Sequence, residues 1–200
     1  MITRRLFTTL PLVLLATSFA AVRAGNQTVA GRSLPVNLAG QPVDPFADPK
    51  AKVIVFLFIR ADCPISNRYA PEVGRLFQEF ASPSLPFHLV YVDPSETSQE
   101  IREHLRDYGY HGQALRDNEH SLVKITGVTV TPEAAVFVPG PSGWRMVYRG
   151  RIDDQYVDFG KTRPAPTTHD LEEVLQAIVR GRTMATQTTR AVGCFIQDLR

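Results

Sequence analysis

Two cysteines, Cys63 and Cys194, are the residues of this 200-residue chain best placed to do chemistry. Cys63 stands in "RADCPISNRYAPEV", after an apolar run and directly before Pro64, with Ser66 three places on. Proline suits the first turn of a helix, where its missing N–H costs nothing. The unpaired N–H groups and dipole of that helix favour a thiolate at its start, which makes Cys63 a nucleophile in expectation. A serine at 66 can hydrogen-bond the thiolate but cannot attack a mixed disulfide, so releasing a bound partner takes a second thiol. Cys194, in the small apolar island "AVGCFI", is the one other thiol in the chain. A plain structural bridge is equally open on these grounds: it would close a loop of 131 residues and contribute about 4 to 5 kcal/mol in the loop-entropy model.

Positioning Cys63 falls to the flanking elements. "KVIVFLFI" (52–59) is a continuous β-branched and aromatic run, as in a strand buried on both faces, and reads as the central strand. From Pro64 onward, Tyr69, Val73, Leu76, Phe77 and Phe80 recur at helical spacing, with a kink expected at Pro71. A second strand is expected over 87–93, then a helix in "SQEIREHLRDYGY" and a short helix ending at Gly127. "TVTPEAAVFVP" and "GWRMVYRGRID" read as strands joined by the turn "PGPSG", and "HDLEEVLQAIVRG" as a last helix stopped by Gly181. The order implies an α/β fold, a mixed β-sheet with helices on both faces. Cys63 then lies past the carboxyl end of a strand, where open α/β sheets place their sites.

The Cys63-Pro64-Ile65-Ser66 tetrapeptide resembles the active-site motif of the thioredoxin-like superfamily, with Ser66 in place of the second cysteine. Thr131-Pro132 before "EAAVFV" looks like that family's Thr-Pro loop, whose cis proline faces the reactive cysteine. Over about residues 30–181 the element order is similar too. Within the superfamily the chain resembles the redoxin, peroxiredoxin-like group, in some members of which a C-terminal cysteine resolves the sulfenic acid of the first. That resemblance implies Cys194 as resolving thiol. It departs from the peroxiredoxin pattern, which has Thr three and Pro seven residues before the cysteine, where this chain has Arg60 and Phe56. Arg60 or Arg68 is left to stabilise the thiolate or polarise a peroxide.

The first 24 residues, with Arg4, Arg5, an apolar stretch broken by Pro11 and the Val22-Arg23-Ala24 site, read as an export signal that resembles the twin-arginine type. The expected divisions are a signal over 1–24, an extended leader over 25–50, a thioredoxin-like redoxin domain over 51–182 and a tail over 183–200. Cleavage takes Arg4, Arg5 and Arg23 from 22 basic residues, leaving 19 against 20 acidic ones, a net charge of −1. Neither a nucleic-acid partner nor a stable membrane span is expected of such a chain. No cofactor motif is present: phosphate loop, HExxH pair and Gly-x-Ser-x-Gly elbow are all missing.

Two other function classes compete with an exported thiol oxidoreductase acting on protein thiols, disulfides or a small peroxide. One is a copper(I) chaperone using Cys63, Cys194 and one of His88, His104, His111, His120 or His169. The other is a disulfide-stapled binding module without turnover. The acidic stretch "RIDDQYVDFGK" lacks calcium-loop spacing and reads as a solvated turn. The favoured reading has Cys63 as nucleophile, Ser66 and the helix start stabilising it, Thr131 and Pro132 shaping the facing loop, Arg60 nearby and Cys194 resolving.

Overall fold

The computed structural model describes residues 33–197. The expected signal over 1–24 and its cleavage site lie outside them. In chain order the strands are β1 (Val36–Asn37), β2 (Ile54–Ile59), β3 (Phe87–Tyr91), β4 (Gln113–Arg116), β5 (Val130–Thr131), β6 (Glu133–Gly140), β7 (Gly143–Gly150), β8 (Tyr156–Asp158), β9 (Lys161–Thr162), β10 (Gln187–Thr188) and β11 (Cys194–Phe195). The helices are α1 (Pro64–Phe80), α2 (Ser98–Tyr108), α3 (Ser121–Thr126) and α4 (Asp170–Val179), with a 3-10 turn at Pro45–Ala47.

Seven strands form one sheet in the order β1-β4-β3-β2-β6-β7-β10. The apolar run expected to be central is β2, fully buried from Ile54 to Ile59, parallel to β3 and antiparallel to β6. Alternation along β2 splits the core. Val55, Leu57 and Ile59 pack with Tyr69, Val73 and Leu76 of α1 and with Leu171, Val174 and Leu175 of α4. Ile54, Phe56 and Phe58 face the other way, onto Leu122 and Val123 of α3 and onto Phe46 and Trp144. A mixed sheet covered on both faces follows, because every β2 side chain needs an apolar neighbour.

Two local expectations change. Strand β4, parallel to β3, is missed by a reading that runs from α2 to α3, because Gln113-Ala114-Leu115-Arg116 carries no β-branched or aromatic residue. Pro71 lies exposed inside α1, which runs on to Phe80. The "RIDD" turn is not solvated, since Asp153 and Asp154 are only 3% and 4% exposed. Asp153 accepts from Tyr69 Oη at 2.5 Å, tying the turn to α1. Asp154 accepts from the Thr167 and Thr168 N–H groups and the Thr167 hydroxyl, and pairs with Arg163, which together hold its carboxyl well below the usual range. Buried carboxylates persist where donors surround them, and here the donors are threonines that sequence spacing does not single out.

The segments flanking 51–182 add edges to the sheet: β1 pairs antiparallel with β4, and β10 parallel with β7. In the β3 row, His88 is 4% exposed and stacked on Phe56, with ring centroids 5.5 Å apart. Its Nδ1 has no hydrogen-bond partner among the described residues. Burial pushes the His88 pKa from 6.5 down to about 4, against smaller opposing contributions from Asp48 and Gln113.

The unfolded chain therefore takes up a proton at His88 before the folded one does. The corresponding stability is present above pH 6.5 and lost as pH falls toward 4, by up to about 3 kcal/mol. Urea unfolding at pH 7, 5.5 and 4.5 should show the His88→Leu profile flatter than the wild type's by that amount, and parallel profiles would refute this account.

Candidate functional site

Cys63 is the N-cap of α1, with extended backbone (φ −83°, ψ 110°) and Pro64 opening the helix. Its Sγ accepts from the Ser66 N–H at 3.5 Å. Two more partners close around it. Thr131 O lies 3.1 Å from Sγ, the Thr131-Pro132 bond is cis as expected, and Cys194 Sγ stands 2.8 Å away. Both thiols are free.

Burial raises the Cys63 pKa, but the Cys194 thiol together with the hydroxyl and N–H of Ser66 outweighs it, and the net displacement is downward. Cys194 goes the opposite way: burial, its hydrogen bond to Cys63 and the charge there push it up to about 12. The opposed displacements make Cys63 the more acidic of the two sulfurs and Cys194 the one that holds its proton more tightly. Ser66 and Thr131 are both fully buried beside Cys63.

Strand pairing brings Cys194 to this place. Strand β11 runs antiparallel to β5, with Cys194 opposite Thr131 and Phe195 opposite Val130. A Cβ on Gly193 would come within 2.1 Å of Thr131 O, so only glycine admits this approach. Ile196 anchors the far side, 6% exposed in the core and donating its N–H to Thr129 O at 3.0 Å. On the near side the Thr189 N–H donates to Arg149 O, and its hydroxyl bonds Tyr148 Oη at 2.7 Å across Gly150. Gly150 has φ 152°, and a Cβ there would sit 2.2 Å from the Thr189 hydroxyl.

The other expected residues are placed as follows. Arg60 is held by Asp62 and Asp93, each at 2.9 Å, so its charge is already partnered beside the site. Arg68 is exposed and has no ion pair among the described residues. The histidines of the copper reading are engaged elsewhere. His104 bonds Tyr91 and Asn67, and His120 bonds Val92 O. His111 lies against Phe77, and His169 is the N-cap of α4. Among the described residues, none joins the two sulfurs in a group of three potential ligands.

Sequence reading missed two carboxylates that shape the loops here. Glu133, directly after Pro132, is 5% exposed and accepts the Thr129 N–H at 2.9 Å and the Val130 N–H at 3.5 Å, fixing β5. Glu96 accepts the Ala61 N–H at 2.6 Å beneath the Cys63 loop. The position of Glu133 next to the Thr-Pro pair was a usable signal; Glu96 lies 33 residues from Cys63 and gave none.

No protein-family model and no curated protein matches the chain. Solved structures do. A hypothetical protein from Sinorhizobium meliloti 1021 superposes with TM-score 0.68 at 22% identity, over 84% of this chain and 91% of that one. An uncharacterized conserved protein from Geobacillus kaustophilus gives TM-score 0.68 at 22% identity, over 84% and 90%. A thioredoxin-like protein from Aeropyrum pernix aligns with TM-score 0.51 at 16% identity, over 74% and 89%. The fold is thioredoxin-like. Its thioredoxin-like frame puts Cys63 at the strand-to-helix turn facing the cis-Pro132 loop, and adds β11 as a strand beside that loop. No described helix is long and apolar enough to cross a membrane.

Gly193→Ala tests the approach that seats Cys194. The clash with Thr131 is confined to the tail, so the expected result is a folded protein in which β11 is displaced. Oxidation to a Cys63–Cys194 disulfide should slow by roughly 100-fold, as expected when two reacting groups lose their alignment. Quenched-flow alkylation followed by mass spectrometry reads this directly, and an unchanged rate would mean that the close approach is dispensable.

Proposed function

We propose that the chain is an exported thiol oxidoreductase of the redoxin type whose working couple is Cys63 and Cys194. The observation that carries this reading is a 2.8 Å contact between two free sulfurs whose pKa values are displaced in opposite directions. One sulfur is set to attack and the other to hold its proton until needed. Export is supported by the N-terminal Arg4-Arg5, apolar and small-x-Ala pattern.

Thiol–disulfide exchange with a protein partner is the first branch. The Cys63 thiolate attacks a disulfide sulfur of the partner, a mixed disulfide forms, and one partner sulfur leaves as a thiolate. Cys194 gives up its proton and attacks Cys63 Sγ, forming the internal disulfide and expelling the second partner sulfur, which takes a proton. The partner is reduced by two electrons and the couple oxidised by two.

Reduction of a small hydroperoxide is the second branch, favoured by one observation: Cys63 is only 1% exposed, which admits a small oxidant more readily than a protein. The thiolate attacks a peroxide oxygen, the O–O bond breaks, the alkoxide leaves and is protonated, and Cys63 becomes a sulfenic acid. Cys194 then forms the S–S bond while hydroxide leaves and takes the Cys194 proton as water. Arg60, already bound to Asp62 and Asp93, stands where peroxiredoxins carry a threonine, so the hydroxyl contact to peroxide is missing from this site. In both branches an external dithiol returns the disulfide to the reduced state.

The test is a non-reducing peptide map of reduced protein after one equivalent of hydrogen peroxide or of a small disulfide. A Cys63–Cys194 bridge is expected within seconds in the wild type and in Ser66→Ala. Cys194→Ser should instead accumulate a dimedone-reactive sulfenic acid or a persistent mixed disulfide at Cys63, and Cys63→Ser should give neither. Two untouched thiols in the wild type would end the redox reading.

A further inference from the structure

The turn that presents Cys63 is fixed through a single peptide. Ala61 donates its N–H to Glu96 Oε1 at 2.6 Å, and its carbonyl accepts from Asn67 Nδ2 at 3.0 Å. Cys63 N–H closes the same turn on Arg60 O at 3.2 Å. The far end of the Asn67 bond continues inward: Asn67 Oδ1 meets His104 Nε2 at 2.8 Å, and His104 Nδ1 meets Tyr91 Oη at 2.8 Å. Because the Asn67 amide nitrogen already donates to Ala61, its oxygen accepts, so His104 Nε2 carries the proton and Nδ1 accepts from Tyr91. Burial lowers the His104 pKa and keeps the ring in this neutral form. This chain is therefore fixed on the Asn67 side, and the ionisable group that accepts from the Ala61 peptide on the other side is Glu96.

Glu96 is 8% exposed, and its second oxygen, Oε2, is buried with no hydrogen-bond partner among the described residues. It lines a cavity of about 400 Å³ together with Ala61, Asp62, Asp93, Ser95 and Glu100. The charges facing it are Asp62 and Arg60 from the turn before α1, Asp93 from its own loop, and Glu100 from the first turn of α2, with Tyr91 below on β3. Arg60 is the nearby cation, and it is already shared between Asp62 and Asp93. A carboxyl in such a setting has a neutral and a charged form close in free energy, and both can accept the Ala61 N–H.

We infer that Glu96 is a positioning residue for the thiol chemistry, one whose protonation, transmitted through the Ala61 peptide and through its charge, sets how readily Cys63 becomes a thiolate. This deepens the proposed function and rests on its reading of Cys63 as nucleophile. Burial, reinforced by Asp93 and Asp62 and opposed by the Ala61 N–H and Arg60, places the Glu96 pKa at about 7. Below that the carboxyl is neutral and the thiolate forms without the added charge of Glu96. Above it the carboxylate opposes the Cys63 thiolate, so the two groups release their protons over a broadened range.

The experiment is a thiolate titration of the fully reduced, full-length protein, following absorbance at 240 nm from pH 5 to 9.5, with Cys63→Ser as the blank. Cys194, at about 12, stays protonated throughout and does not contribute. Wild type should give a curve shallower than a one-proton transition. Glu96→Gln, which keeps an acceptor for Ala61 but cannot ionise, should give a one-proton curve with its midpoint lower by about half a pH unit, the size expected for unit charges acting through a partly solvated protein. Glu96→Ala, which also frees the Ala61 N–H, separates holding from titration. Superimposable wild-type and Glu96→Gln curves, with a shift in Glu96→Ala alone, would reduce Glu96 to a structural clamp and overturn the inference while leaving the redox reading intact. A wild-type Cys63 titrating as an ordinary free thiol would overturn the nucleophile assignment and the inference together.

Discussion

The site depends on one backbone pairing, the two-residue ladder between β11 and β5 that places Cys194 opposite Thr131. Two thiols 131 residues apart meet rarely in a flexible chain, and the entropy of closing so long a loop grows with its length. Here that loss is absorbed during folding, because Thr189 and Ile196 fix the tail on either side and only a few residues between them remain to be placed. Gly193 is the consequence: a strand can lie this close to the Thr131 carbonyl only where no Cβ intervenes. Disulfide formation then requires little motion beyond the sulfurs themselves.

Carrying the second thiol on a strand, not on the helix that bears the first, also separates their acidities. Cys63 caps α1 and gains from the Ser66 N–H and hydroxyl, a benefit that falls off within the first helical turn. Cys194 lies off that helix, is desolvated by the core beneath the tail, and faces a developing negative charge on Cys63. When the pair loses its first proton, these opposed displacements favour losing it from Cys63 and keeping the other on Cys194. Ser66 fits this division, since a thiol at that position would compete with Cys194 for the same attack.

Much of this arrangement is legible in the residues. The uninterrupted apolar run Val53–Ile59 can only be a strand covered on both faces, and Cys-Pro after it fixes where a helix begins. Thr131-Pro132 is legible through resemblance. The losses have physical causes. Strand β4 is held by parallel pairing to β3, not by intrinsic preference, and Asp153 and Asp154 look solvent-facing until Tyr69, Thr167 and Arg163 are known to surround them. Glu96 and Glu133 act on loop N–H groups, and nothing in a carboxylate's sequence neighbourhood says which distant or local amide it will accept. The register of β11 is legible only in hindsight, through the glycine at 193.

On the proposed reading, the same ladder decides which oxidants reach Cys63 directly. The thiolate is 1% exposed while β11 is seated, so a protein disulfide has access only after the tail lifts. Lifting exposes Ile196 and breaks its bond to Thr129 O, a cost of about 3 kcal/mol from burial and one hydrogen bond. The open form is then roughly one molecule in a hundred. Opening removes Cys194 from Cys63, so a mixed disulfide captured in that form persists until the tail docks again and brings the resolving thiol back. A small oxidant bypasses this step, because neither its entry nor the attack of Cys194 requires the strand to move. Tail stability therefore trades access for speed of resolution: a firmer β11 slows capture of large partners and hastens their release.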